Sequence, residues 1–281
     1  MPSGKRSKQQ RREATVAVRT PPPVRSKGAP RGVRQASPRA LAIGGGVVAL
    51  VVVAIVLGFV LSKGGSSSGL PKGTPAVGSA AGASALPGAT DIQSLYRGIP
   101  QHGLYLGSDT APVQMTMFID LQCPICQNYE VTALPTIVGK YIRTGKVRLY
   151  IRPWAFIGPD SFKARNAMIA ASFQNKAFQF AGVLYDNQGT ENTGWVTDAQ
   201  LAAIGSSVQG LNVAQWWAAQ GSAKVKSLEQ TVDADAQAMG VQGTPTIFVA
   251  KNGAKPKDIS PVGQAPTLQG TETALDTALG S

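Results

Sequence analysis

The two cysteines of this 281-residue chain, Cys123 and Cys126, are separated only by Pro124 and Ile125. The apolar segment 112–119 before them is typical of a central strand, and the segment after them has the spacing of a helix. The pair is therefore predicted to lie where a strand ends and a helix begins. At such a position the free N–H groups and the positive end of the helix dipole stabilise a thiolate, which is the reactive form in disulfide exchange.

The position of each thiol predicts a different role. Cys123 is nearer the helix end and is expected to be more exposed, so it is the predicted nucleophile. Cys126, three residues further on, is near enough to close a disulfide or to resolve a mixed one. Pro124 suits the first helical position, because it has no N–H group to lose there.

Two other interpretations of the cysteine pair are a structural disulfide and a metal site. A disulfide that closes so short a loop constrains the unfolded chain little. A tetrahedral metal site needs four ligands, whereas the chain has no second CxxC pair and a single histidine, His102, which is expected to be a loop residue without a role. The sequence thus favours a redox-active cysteine pair, with no metal and no other cofactor.

The segments around the cysteines predict an α/β domain. The strand at 112–119, a helix kinked by Pro135 and a strand at 146–153 have the lengths of a right-handed, parallel βαβ unit. The apolar stripe expected along the helix consists of Ile125, Tyr129, Val131, Leu134, Val138 and Tyr141.

A mainly helical region and a second group of strands are predicted to follow. The expected helices are one through 166–174 capped by Asp160 or Ser161, one at 176–185, one with the Thr197/Gln200 capping-box spacing, and one or two at 213–240 closed by Gly240. Strands are expected at 243–250 and 257–263, and a last helix at 266–280. The residues expected to serve core or groove packing are Phe178, Phe180, Trp216 and Trp217.

Two segments outside the cysteine pair supply candidate site residues. Thr244 and Pro245 form an X-Pro bond just before a strand, which in a fold with a CxxC pair can be cis and face the cysteines. Alternatively, Pro245 simply starts the strand, where it costs no ladder hydrogen bond. Asp120, if buried near the thiols, would raise the pKa of the nucleophile or move protons, whereas an exposed Asp120 would cap the helix.

The N-terminal third of the chain predicts a membrane anchor. Residues 41–61 are 21 positions without a charge, and at about 1.5 Å per residue they span a hydrocarbon core of about 30 Å. The alternatives are a buried soluble helix and a signal peptide cleaved near 77–85. A signal peptide has a short n-region and an apolar region of about 7–15 residues, so the forty residues before this segment favour an uncleaved anchor.

The charge of the chain is unevenly distributed. The formal net charge is +12, but residues 1–40 hold eleven Lys or Arg and one acid, and residues from 91 onward are balanced. The basic tail 1–40 is expected to be disordered and cytoplasmic by the positive-inside rule, with the C-terminal domain outside. Residues 62–90 have the composition of a flexible linker, and the neutral domain at 91–281 predicts no nucleic-acid surface.

Taken together, the motifs FIDLQCPIC, ALP, VRLYIRP and VQGTPTIFV resemble the DsbA-like branch of the thioredoxin superfamily, most closely its membrane-anchored bacterial type. The resemblance covers about residues 98–280. It implies a thioredoxin fold with a helical insertion at about 155–240 and a cis-proline loop beside the cysteines. It also implies that Cys123 is the nucleophile and Cys126 the resolving thiol. The dipeptide Pro124-Ile125 would tune the couple, and Thr244-Pro245 would contact substrate.

The same resemblance implies an extracytoplasmic thiol–disulfide oxidoreductase. Its expected partners are unfolded or reduced secreted or cell-envelope proteins and a quinone-linked membrane reoxidase, and the chain is expected to be a monomer. This chain departs from many oxidases of this type, which have His at the position of Ile125 and Val at that of Thr244. The family's isomerases, however, add a dimerisation domain where this chain has only a linker. For this last reason an oxidase is preferred, with a reductase or isomerase and a non-catalytic interaction module as alternatives.

Overall fold

The computed structural model describes residues 85–260 and 265–280. The predicted tail at 1–40, the predicted transmembrane helix at 41–61 and most of the predicted linker lie outside these ranges. Within 85–260 and 265–280, no helix combines the length and the apolar character needed to cross a membrane. The first described helix, α1 (Ala89–Tyr96), begins one residue before the predicted end of the linker at residue 90.

A six-stranded mixed sheet forms the centre of the described domain. Its strands are β1 (Gln101–His102), β2 (Tyr105–Leu106), β3 (Val113–Ile119), β4 (Val147–Pro153), β5 (Thr246–Lys251) and β6 (Lys257–Asp258). Their order across the sheet is β1-β2-β4-β3-β5-β6. β3 pairs parallel with β4 and antiparallel with β5, so the predicted parallel βαβ unit and the central position of β3 are confirmed.

The helix that crosses from β3 to β4 is interrupted, as Pro135 predicts. It consists of α2 (Pro124–Thr132), α3 (Leu134–Ile137) and a π-helical segment (Val138–Ile142). Pro135 lies in the first turn of α3, where its missing N–H group costs nothing.

The predicted apolar stripe on this helix is only partly correct. Tyr129, Leu134, Val138 and Tyr141 are buried, but Ile125 and Val131 are 47% and 45% exposed. The buried face of α2 and its C-cap is instead formed by residues with the i, i+3, i+4, i+7 spacing: Cys126, Tyr129, Glu130 and Ala133. A carboxylic acid thus occupies a position that hydrophobicity alone assigns to solvent.

Five helices are inserted between β4 and β5, in agreement with the predicted insertion. They are α4 (Pro159–Ser172), α5 (Ala177–Asp186), α6 (Asp198–Ser207), α7 (Val213–Ala219) and α8 (Ala223–Ala238), and the C-terminal helix is α9 (Leu268–Gly280). Thr197 accepts a hydrogen bond from the Gln200 N–H at 3.1 Å, which confirms the predicted cap of α6. Gly240 follows α8 with a φ of 70°, which suits the predicted glycine C-terminus.

Two predictions in this region are corrected by the structure. α4 begins at Pro159 with Gly158 as N-cap, so neither Asp160 nor Ser161 caps the helix. Both side chains are buried in its first turn, and the Ser161 hydroxyl donates to the Asp120 side chain, just after β3. The last predicted strand is also shorter than expected, since β6 contains only Lys257 and Asp258 of the described residues.

Buried aromatic residues on the helices of the insertion form part of the hydrophobic core. Phe178, Phe180 and Trp216 are fully buried, which confirms their predicted packing role. The Trp216 indole donates to the Ala167 carbonyl at 2.8 Å, so its ring is held in one orientation.

Gly205 provides a test of this packing. A β-carbon at Gly205 would lie 2.6 Å from the ring of Trp216, whereas one at the exposed Gly139 would meet nothing within 4 Å. We expect Gly205→Ala to be less stable than Gly139→Ala by about 1–3 kcal/mol, because the tryptophan cannot move aside without breaking its hydrogen bond. Urea denaturation of both variants measures this difference. Equal midpoints would show that the packing around Gly205 is loose.

Candidate active site

The cysteine turn connects the end of β3 to the start of α2. Cys123 is the N-cap of α2, and Pro124 occupies the first helical position, as predicted. The Cys126 N–H donates to Cys123 Sγ at 3.4 Å, and the Cys123 carbonyl accepts from the Gln127 N–H at 3.1 Å. A sulfur atom thus takes the place that a capping oxygen usually holds at a helix N-terminus. Both thiols are free in this structure.

The environments of the two sulfurs shift the pKa values of the two thiols in opposite directions. The pKa of Cys123 is lowered to about 6, chiefly by a hydrogen bond from the Cys126 side chain, with help from the backbone N–H groups of Cys126 and Ile125 and against the opposing effect of burial. The pKa of Cys126 is raised well above its usual value, first by burial and then by its proximity to Cys123. Both residues are buried, at 6% and 2% exposed, so acidity distinguishes them far more than exposure does.

The Thr244–Pro245 loop lies against this turn. The Thr244–Pro245 peptide bond is cis, and the Thr244 carbonyl accepts a hydrogen bond from Cys123 Sγ at 3.4 Å. The predictions of a cis bond and of its place beside the cysteines are therefore confirmed. The loop leads directly into β5, and the Thr246 hydroxyl fixes its turn by donating to the Gly243 carbonyl at 2.7 Å.

Asp120 is buried immediately after β3, so the alternative of an exposed capping residue is wrong. Its Oδ1 accepts from the Gln122 N–H at 2.9 Å and the Ser161 hydroxyl at 2.7 Å. Its Oδ2 accepts from the N–H groups of Phe156 and Ile157 at 3.0 and 3.2 Å. All four partners are donors, which matches the acceptor-only character of a carboxylate.

His102, predicted to be a loop residue, lies instead on the short strand β1, where it is exposed and its Nε2 is 3.8 Å from a carboxylate oxygen of Asp109. Among the described residues, no cluster of three or more His, Cys, Asp or Glu side chains has the arrangement needed to hold a metal ion.

A second buried carboxyl was not identified from the sequence. Glu130 lies one helical turn beyond Cys126 on the buried face of α2, and its Oε1 accepts from the Tyr96 hydroxyl at 3.1 Å. The pKa of Glu130 is raised to about 7, mainly by burial, against the lowering effect of the Tyr96 hydrogen bond and with a smaller contribution from the charge of Asp186. The i+4 spacing from Cys126 is the sequence signal that could have identified this residue.

The fold and this arrangement define a class of protein. A CxxC pair at the N-terminus of the helix after a central strand, facing a cis-proline loop, is the arrangement of the thioredoxin-fold thiol–disulfide exchange proteins. The structure of BdbD from Bacillus subtilis, in its oxidised form, has a TM-score of 0.56 and 22% identity, over 64% of this chain and 94% of that chain. Wolbachia pipientis alpha-DsbA1 has a TM-score of 0.54 and 19% identity, over 63% and 90% of the two chains.

Sequence comparisons identify the family. A family model described as "Thioredoxin" matches residues 101–263, which is more than half of the chain. A "Probable disulfide bond formation protein D" of Bacillus cereus is 34% identical over 154 residues, covering 54% of this chain and 71% of the relative. The "Disulfide bond formation protein D" of Bacillus subtilis is 26% identical over 158 residues, or 51% and 66% of the two chains. The chain therefore belongs to the thioredoxin family, as a DsbA-like thiol–disulfide oxidoreductase.

Proposed function

We propose that this oxidoreductase is an extracytoplasmic oxidase that transfers the Cys123–Cys126 disulfide of its CPIC motif to secreted or cell-envelope proteins. The observation that carries this proposal is the lowered pKa of Cys123 beside the raised pKa of Cys126. A stabilised Cys123 thiolate favours the reduced form of the enzyme, and so makes its disulfide a stronger oxidant. The relatives described as disulfide bond formation proteins support the same direction.

The transfer proceeds by two thiol–disulfide exchanges. A client thiolate attacks Sγ of Cys123 in the enzyme disulfide, and the bond to Cys126 breaks. Cys126 leaves as a thiolate and takes up a proton, because its raised pKa favours the thiol. A second client thiolate then attacks the client sulfur of the mixed disulfide and expels Cys123 as the stabilised thiolate. The client is oxidised by two electrons, and the enzyme holds both of them in its reduced cysteine pair, as the Cys123 thiolate and the Cys126 thiol.

The surroundings of Cys123 suit an unfolded client. The side chains of Ile125 and Phe156 are 47% and 44% exposed, although both are large and apolar. Ile125 follows Cys123 by two residues, and the Phe156 N–H is held by Asp120 next to the cysteine turn. The half-buried Thr244 offers backbone groups beside the same sulfur, which an extended client can pair with by strand addition.

The proposed setting of the reaction is the outer face of a membrane. It is supported by the uncharged segment at 41–61 and by the eleven basic residues before it. A quinone-linked membrane reoxidase would then remove the two electrons after each turnover. The test fuses a reporter enzyme that works only outside the cytoplasm to the chain after Ser281. We expect this fusion to be active and to remain with the membrane fraction. A soluble, shortened fusion would show that the segment is a cleaved signal.

The direction of electron flow is tested by equilibrating the full-length protein with glutathione buffers. We expect a reduction potential more oxidising than about −180 mV, the value typical of protein disulfide isomerase. A potential near the thioredoxin value of about −270 mV would contradict the oxidase proposal. It would favour the reductase or isomerase alternative, which Thr244 before the cis proline also supports.

A further inference from the structure

The residue before Cys123 is a fully buried polar side chain. Gln122 is 0% exposed, which requires partners for both its amide oxygen and its amide nitrogen. Its Nε2 donates to the Ser161 hydroxyl at 2.9 Å and lies 3.5 Å from Asn192 Oδ1, and its Oε1 accepts from the Asn192 N–H at 2.8 Å. Both partners belong to the helical insertion, 39 and 70 residues further along the chain.

The direction of these hydrogen bonds is determined by Asp120. A carboxylate only accepts, so the Ser161 hydroxyl donates to Asp120 and is left to accept from the Gln122 amide nitrogen. The Gln122 amide oxygen must then face the Asn192 N–H. A single orientation of the Gln122 side chain satisfies every member of this chain of hydrogen bonds. Such a network specifies one geometry, because any rotation leaves a buried group without a partner.

The insertion holds the rest of the cysteine turn in the same way. The Tyr185 hydroxyl donates to the Asp120 carbonyl at 3.1 Å, and Gln188 Nε2 donates to the Leu121 carbonyl at 2.9 Å. The network is also closely packed, because a side chain at Gly158 would collide with Asn192. Side chains of the insertion therefore hold the peptide units that lead into the N-cap of α2, and Gln122 adjoins the reactive residue.

We propose that Gln122 is a positioning residue that orients Cys123 for thiol–disulfide exchange by tying its backbone to Ser161 and Asn192. This inference rests on the proposed function of Cys123. The Cys126 N–H donates to Cys123 Sγ at 3.4 Å, and such a hydrogen bond weakens when its angle departs from linear, so a rotation of the N-cap reduces its stabilisation of the thiolate. The hydrogen bonds of the Gln122 side chain go to Ser161 and Asn192 and not to a sulfur, so Gln122 acts through the φ and ψ angles of Cys123, which are −69° and 118°.

The test replaces Gln122 without changing its size. Gln122→Met keeps the length of the side chain and removes all of its hydrogen bonds. We expect the pKa of Cys123 in the reduced full-length protein, followed by the ultraviolet absorbance of the thiolate, to rise by on the order of one unit. The reduction potential should become less oxidising in parallel. Ser161→Ala removes one partner of Gln122 and should shift the pKa in the same direction by less.

Gln179→Met is the matched control. Gln179 is also a buried carboxamide, at 3% exposed, but it lies on α5, and its Oε1 has no hydrogen-bond partner within the described residues. Its replacement can change stability but should leave the pKa of Cys123 as in the wild type. An equal shift in the control, or no shift in both Gln122→Met and Ser161→Ala, would overturn the inference. A wild-type protein without any low-pKa thiol would overturn the proposed function itself.

Discussion

Cys123→Ser is expected to reduce disulfide transfer to the uncatalysed background, whereas Cys126→Ser is expected to accumulate mixed disulfides with clients. A serine at 123 cannot form the bond that a client thiolate attacks. With serine at 126, Cys123 keeps its place at the N-cap of α2 but has no neighbouring thiol to release a trapped client. The two cysteines are similarly buried, so the predicted difference between the variants rests on the lowered pKa of Cys123 and the raised pKa of Cys126.

The measurement is a separation of client complexes under non-reducing conditions. Each variant is incubated with an oxidised or glutathionylated client, alkylated in acid and compared with the same sample after reduction. The variant with serine at both positions is the matched control, because any complex it forms does not involve these thiols. Equal trapping by Cys123→Ser and Cys126→Ser would refute the assignment of nucleophile and resolving thiol.

The parts of the fold that could be predicted are those specified by neighbouring residues. A segment with apolar residues on both faces gives β3, a proline after Cys123 starts α2, and a proline at 135 interrupts the helix. The position of the thiols at the helix N-terminus follows from these local patterns alone. The cis bond at Thr244–Pro245 was predictable only together with the CxxC pair, because proline by itself is usually trans.

The parts that could not be predicted depend on partners far away in the sequence. The shift of the buried face of α2 to Glu130 requires Tyr96, 34 residues earlier, to supply a hydrogen bond. Ser161 does not cap α4, because its hydroxyl donates to Asp120, 41 residues earlier. A glutamine such as Gln122 is expected at the surface, but it is buried here because Asn192 and Ser161 supply its hydrogen-bond partners. No periodicity carries such information, since each contact is created by tertiary packing.

The lowered pKa of Cys123 also has a local origin, which the identities of Pro124 and Ile125 do not reveal. Ile125 contributes a backbone N–H to the stabilisation of the Cys123 thiolate, and its apolar side chain is largely exposed. The main stabilising group is Cys126, through its side chain and backbone. The absence of a histidine between the two cysteines therefore does not prevent a pKa of about 6 for the nucleophile.

Glu130 makes the stability of the protein depend on pH. The pKa of Glu130 is about 7 in the folded protein, against a usual value of 4.5, mainly because of burial. Its Oε2 accepts no hydrogen bond within the described residues, so ionisation places a poorly satisfied charge in the core. The folded state therefore binds the proton more tightly than the unfolded chain does. The free energy of unfolding should fall as pH rises from about 4.5 to 7, by about 3 kcal/mol in total.

Cys123 contributes a change of the opposite sign in the reduced protein. Its pKa is lowered from 9.0 to about 6, so it adds stability as pH rises through that interval. The contribution of Glu130 is for this reason measured as a difference between two proteins that share the same thiols. Glu130→Gln keeps the size of the side chain and an acceptor for the Tyr96 hydroxyl, but it cannot ionise.

We expect Glu130→Gln and the wild type to have similar free energies of unfolding at pH 5. At pH 8.5 the variant should be the more stable by up to about 3 kcal/mol, because only the wild type then buries a carboxylate. Urea denaturation at several pH values measures this difference, and Glu191→Gln, which changes an exposed carboxyl, is the control for a general effect of charge. Parallel pH profiles for the wild type and Glu130→Gln would mean that the folded protein does not bind the extra proton. Glu130 would then be ionised in the core at neutral pH, stabilised by more than the single Tyr96 hydrogen bond.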